Sequence, residues 1–105
     1  MIEQIYTPGK IVEFSWGYDQ TNVDFYLITR RSGDFVTLLP IGKKNEYNPA
    51  TMTGTTTPDP SQPLNKKPFR RKVHTSREEE IGVAIESYGW ASLWNGKPSR
   101  YSNYR

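Results

Sequence analysis

The densest chemistry in the sequence is the run Lys66-Lys67-Pro68-Phe69-Arg70-Arg71-Lys72, in which five of seven residues are basic around a single aromatic. Closely spaced cations suit a phosphate backbone, where each contact adds salt-dependent affinity without reading sequence. They equally suit an acidic protein surface, the neighbouring Glu78-Glu79-Glu80 run, or a solvated face. If the run is extended, its side chains alternate: Lys66, Pro68, Arg70 and Lys72 share one face, and Lys67, Phe69 and Arg71 the other.

A second constellation is Trp16–Tyr26, where Trp16 and Tyr18 precede Asp19-Gln20-Thr21-Asn22 and then Asp24-Phe25-Tyr26. Aromatic faces for stacking beside amide and hydroxyl groups make a recognition loop. The structural alternative is a tight connection in which Asp19 and Asn22 bond nearby backbone amides. A third set, Tyr88, Trp90, Trp94, Tyr101 and Tyr104, must largely be core or rim packing in a small domain. Any member left exposed beside Arg70 and Arg71 would form a stacking platform for single-stranded nucleic acid, or a protein hot spot.

The usual signs of catalysis are missing from the sequence. His74 is the only histidine and there is no cysteine, so a zinc site lacks ligands and a thiol nucleophile is excluded. No phosphate-cradling glycine loop, nucleophile elbow or paired-histidine motif occurs. Asp19 and Asp24 offer two carboxylates, but nothing fixes the separation that acid–base work requires. The expectation is a non-enzymatic protein without cofactor or metal.

The elements that must position these groups read as strands. Lys10–Trp16 alternates. Val23–Arg30 puts Val23, Phe25, Leu27 and Thr29 on one face and Asp24, Tyr26, Ile28 and Arg30 on the other. Phe35–Ile41 follows the short link Arg31-Ser32-Gly33-Asp34, a β-hairpin signal, and Pro40 suggests that this strand ends or reaches an edge there. Phe69–His74, Ile81–Glu86 and Ala91–Trp94 follow, with Ser76–Glu80 as a possible capped helical turn and Asn95-Gly96 as a turn dipeptide. Between them, residues 42–68 carry Thr51-Met52-Thr53-Gly54-Thr55-Thr56-Thr57 and Pro58, Pro60 and Pro63. With few apolar anchors, this stretch reads as a long flexible Thr/Pro-rich loop. The tail 97–105 is polar, with Tyr101 and Tyr104 as docking groups.

The 105 residues fit one domain with a modest core, to which four Phe, seven Tyr and three Trp supply area. Charge is uneven. Residues 1–65 hold five basic and seven acidic side chains, and residues 66–105 hold nine and four, so the overall +3 comes from the second half. That balance suits a polyanionic partner and excludes a strongly acidic DNA mimic. No apolar run reaches membrane-spanning length and the first residues lack signal-peptide character, which leads to an expected cytoplasmic location in a bacterial host cell. The expected fold is mainly β: a small SH3-like barrel or strongly bent antiparallel sheet of five to six strands, with at most one short helix. An open α+β sheet with a helix at 76–80 or 87–92 is the competitor.

The segments Ser15-Trp16-Gly17-Tyr18-Asp19-Gln20-Thr21-Asn22-Val23-Asp24-Phe25-Tyr26 and Ser87-Tyr88-Gly89-Trp90-Ala91-Ser92-Leu93-Trp94-Asn95-Gly96-Lys97-Pro98 resemble a group of small uncharacterised proteins encoded by phages, plasmids and other bacterial mobile elements. The likeness spans under a quarter of the chain. It implies an accessory protein acting on nucleic acid or on host defence. Together with the charge pattern, it gives the expectation of a macromolecule-binding module that uses Lys66, Lys67, Arg70, Arg71, Lys72, Trp16, Tyr18 and Trp90. Its partner would be nucleic acid or, in an anti-CRISPR-like inhibitor, a host protein; the sequence leaves the oligomeric state open.

Overall fold

The computed structural model describes residues 3–16, 22–50, 53–64, 66–86, 89–97 and 99–102. These form eight strands and no helix: β1 (Ile11–Trp16), β2 (Asn22–Ser32), β3 (Phe35–Asn48), β4 (Thr53–Pro63), β5 (Phe69–Ser76), β6 (Glu79–Glu86), β7 (Gly89–Leu93) and β8 (Ser99–Ser102). Six of them close on themselves in the order β1-β2-β3-β5-β6-β7, every pair antiparallel, with β7 returning to β1. The second half of β3 leaves this barrel to pair with β4, and β8 lies along β4 in turn. The protein is thus a small closed β-barrel carrying a β arm, and the arm lengthens the molecule to 48 × 30 × 24 Å.

Period-2 alternation explains the closure. Val12 and Phe14 from β1, Ile28 from β2, Val36 and Leu38 from β3, Val73, Val83, Ile85 and Ala91 all point inward, and Tyr6 joins them from the segment before β1. A smaller cluster of Val23, Phe25 and Ile41 packs on the outside of the wall under Ile11, Leu27 and Trp94. β2 therefore buries residues on both of its faces, which explains its density of β-formers. Close packing also fixes β7, because a Cβ added at Gly89 would lie 2.3 Å from Phe14 Cε1 inside the barrel.

The register of β2 departs from simple alternation. A bulge between Ile28 and Arg30 inserts Thr29, so Arg30, expected to share the Ile28 face, points outward opposite Thr37. Arg31 then turns inward opposite Val36. There its guanidinium grips Glu80 with two bonds of 2.7 and 3.1 Å, while donating to Tyr6 O at 3.0 Å and, through Nε, to Gly33 O at 2.8 Å. Glu80 also accepts from the backbone amides of Ile5 and Tyr6. Burial alone would raise the Glu80 carboxyl, but the bonds from Arg31, Tyr6 and Ile5 outweigh it and hold the group below the usual carboxylate range.

Two expectations need correction. Residues 42–68 are not one loop: 42–48 and 53–63 form the β arm, turned at Pro49 and Ala50. Threonine, which counted there as a turn former, is β-branched and suits a strand. The prolines fall beyond Thr56, where β8 has ended and β4 has no second strand partner among the described residues. A bulge opposite Ile41 and Gly42 absorbs Pro60–Gln62, and Asp59 accepts there from both Ser61 N and Ser61 Oγ.

Of the two alternatives for Pro40, the strand does not end there but does reach an edge. Pro40 occupies the gap between β5 pairing, which stops at Leu38, and β4 pairing, which starts at Ile41. Ser76–Glu80 is a hairpin turn and not a helical one. Arg77 and Glu78 both take positive φ (51° and 66°), and Glu80 is drawn into β6 by Arg31.

Three outcomes follow from this geometry. Glu80→Ala, which leaves a buried guanidinium without its counter-charge, lowers the unfolding free energy by about 3–5 kcal/mol in urea titrations. Because the folded-state pKa of Glu80 is depressed, its contribution is complete above the unfolded carboxylate pKa and is lost as pH falls through the folded one. Wild type therefore loses more stability on acidification than an Arg31→Met, Glu80→Leu double variant. At the β5–β6 turn, Glu78→Gly relieves a left-handed conformation and raises stability by about 1 kcal/mol.

Candidate functional site

β5 divides the basic run between two surfaces. Its burial alternates, with Phe69, Arg71 and Val73 turned inward and Arg70 and Lys72 exposed. Lys66 and Lys67 precede the strand, exposed on the β4–β5 connection. The alternation expected for 69–72 therefore holds, but the run is not one continuous face.

On the outer wall, register sets the neighbours, because directly paired residues on antiparallel strands point the same way. Arg30 pairs with Thr37 and Thr37 with Arg70, so the two arginines share a row across β2, β3 and β5. Phe35 pairs with Lys72 in the next outward row. Phe35 is 42% exposed, and the Arg70 guanidinium sits 5.0 Å from its ring centroid. Two residues beyond Lys72, the His74 ring leans against Trp90 from β7, with centroids 4.5 Å apart and planes tilted by 58°. Gly82 lies beneath that indole: a Cβ there would meet Trp90 Cε3 at 3.3 Å and Ala91 O at 3.0 Å, so the missing side chain lets the ring lie close to the sheet. Trp90 remains 51% exposed.

The outside of the barrel thus carries Arg30, Arg70 and Lys72 beside Phe35 on β2, β3 and β5, and, further round the wall, the half-exposed Trp90 against His74. None of Arg30, Arg70 and Lys72 makes an ion pair among the described residues. By contrast, Lys43 is held at the β2 edge by Val23 O and Asp24.

Arg71 is different in kind. Its guanidinium lies 4.5 Å from the Phe69 centroid, Nε donates to Ile85 O at 3.3 Å and Nη1 to Arg70 O at 2.9 Å. It braces the junction of β5 and β6 at the barrel mouth, and its distance from the outer face removes it from the expected strip of cations.

The expected aromatics are also separated. Trp94 is structural: it packs edge-on against Phe25 at 6.3 Å, its amide donates to Ile11 O and its Nε1 to Lys97 O. The backbone of Trp16 ends β1 opposite Asn22, while its side chain and the whole of Tyr18 lie outside the described residues. Arg30 and Phe35 join the face although the sequence reading did not single them out. Phe35 was accessible to that reading, since alternation against Val36 and Leu38 turns it outward; Arg30 was hidden by the bulge. Among the described residues there is no cluster of His, Asp and Glu fit to hold a metal, and no helix long and apolar enough to cross a membrane.

Comparison with known proteins adds no relative: no family model, curated protein or solved structure matches the chain.

The two arginines should separate experimentally. Arg71→Ala, which removes two backbone-capping bonds and a packed stem, lowers unfolding free energy by about 1–3 kcal/mol. Arg70→Ala and Lys72→Ala each stay within about 0.5 kcal/mol of wild type in the same thermal or urea melts.

Proposed function

We propose that the protein is a non-enzymatic module that binds nucleic acid along the outer wall formed by β2, β3, β5, β6 and β7. The observation that supports this reading is that Arg30, Arg70 and Lys72, which make no ion pair among the described residues, stand on the outer wall with the exposed rings of Phe35 and, further round, Trp90. Cations at this spacing bind phosphates, and exposed rings lying against a sheet stack on bases that are not already paired. A single strand fits both requirements, since a duplex hides its base faces. The resemblance of the Trp16 and Trp90 segments to mobile-element proteins adds a setting, an accessory protein acting inside a bacterial host.

The half-exposed Trp90 beside cationic side chains also has the composition of a protein hot spot. A phage or plasmid inhibitor that docks on a host defence protein is accordingly the second reading. Salt separates the two, because phosphate contacts release counterions and aromatic docking does not.

With nuclease-treated protein and single-stranded oligonucleotides, the logarithm of the binding constant falls with the logarithm of salt concentration at a slope of about −2, as roughly three phosphate contacts on single strands require. Arg70→Glu weakens binding to every sequence and flattens that slope, and Trp90→Ala weakens binding while leaving the slope unchanged. Binding that ignores salt, or that survives Arg70→Glu intact, would refute the nucleic-acid reading.

A further inference from the structure

Inward of the basic run, the barrel mouth opens into a cleft of about 250 Å³ that the outer-wall reading does not use. Its apolar walls include Tyr26, Phe69, Ile85 and Leu64. Tyr26 and Phe69 meet edge to face with centroids 5.4 Å apart, and Leu64 keeps 47% of its surface in water. The polar lining is strongly one-sided. Lys66, Lys67 and Arg71 face a single carboxylate, Asp24, which already pairs with Lys43 at 3.3 Å. Among the described residues Lys66 and Lys67 make no ion pair, and Arg71 bonds Ile85 O through Nε and Arg70 O through Nη1, with no partner at Nη2.

An apolar slot flanked by aromatic rings, with cations at one side, selects a flat ring joined to an anion. The volume decides how large that ligand is. Small-molecule sites span roughly 300–1,000 Å³, so this cleft falls just below that range and limits the ligand to one ring system with one anionic group. We propose that the mouth cleft is a second site, binding a nucleobase joined to a phosphate: the base lies against Tyr26 and Phe69, and the phosphate is held by Lys66, Lys67 and Arg71. A free nucleoside monophosphate and the phosphorylated end of a strand present the same chemistry. The site is independent of the outer face, because it uses the inward residues of β5 and the preceding connection.

The test is a titration followed by NMR at the Tyr26 and Phe69 rings and the Ile85 methyls, using adenosine monophosphate, adenosine and inorganic phosphate separately. Adenosine monophosphate shifts these resonances, and adenosine and phosphate each bind at least about tenfold more weakly, since each lacks half of the recognition. The exposed double variant Lys66→Glu, Lys67→Glu, with its fold checked by circular dichroism, loses at least about tenfold in affinity. Trp90→Ala leaves this affinity unchanged even if it abolishes strand binding on the outer wall.

A trinucleotide with and without a terminal phosphate identifies the source. Tighter binding of the phosphorylated trinucleotide than of the mononucleotide assigns the site to strand ends, and the reverse assigns it to free nucleotide. The proposal is overturned if millimolar adenosine monophosphate shifts nothing, if inorganic phosphate binds as tightly, if the lysine reversals have no effect, or if Trp90→Ala removes the binding.

Discussion

A guanidinium buried in a barrel wall must find a carboxylate, and the way Arg31 finds Glu80 organises much of this molecule. The pair draws together β2, β6, the Gly33 turn and the segment before β1, all through bonds to the same two side chains. Desolvating both ions is expensive, and the arrangement is tolerated because each is also bonded to backbone groups that would otherwise go unpaired. The consequences reach outward. For Arg31 to point inward, the bulge at Thr29 must reset β2, and the same reset turns Arg30 onto the outer face. The interaction that closes one end of the barrel thus contributes a cation to the surface that the proposed function uses.

The opposite faces of β5 then carry different work. Inward, Phe69, Arg71 and Val73 continue the wall, with Arg71 committed to backbone carbonyls and to the Phe69 ring. Outward, Arg70 and Lys72 have no anionic partner among the described residues and stand next to Phe35. Cations that the fold leaves unpaired are available to a ligand without first breaking an internal contact. The bulk of the basic run lies in a short stretch of sequence, yet the pleat of a single strand separates its structural member from its exposed ones.

The barrel was legible where alternation was clean. Val12 and Phe14 alternate with Ile11 and Glu13, and Val83 and Ile85 with Gly82 and Ala84, and Val12, Phe14, Val83 and Ile85 are all buried in the barrel. Legibility failed where tertiary pairing overrode local preference. The glutamate run at 78–80 favours a helix locally, but Glu80 is needed inside the barrel, and a tight turn with two left-handed residues results. The arm failed for a related reason: a hairpin outside the barrel shows little of the apolar alternation by which strands are recognised, and its prolines disguised a strand that beyond Thr56 has no second strand partner among the described residues. Of the outer face, Arg70, Lys72 and Trp90 were readable as residue types. Their placement relative to Phe35 and Arg30 depends on register between strands, which no local pattern encodes.

The most direct test of the central claim is a map of backbone amide chemical-shift changes on adding a short single-stranded oligonucleotide to the isotope-labelled protein. The account predicts the largest changes at Phe35, Arg70, Lys72, His74 and Trp90, in a band running around the outer wall from β3 across β5 to β7. Changes confined to the β3–β4 arm, or a spectrum that does not move at low salt, would contradict it.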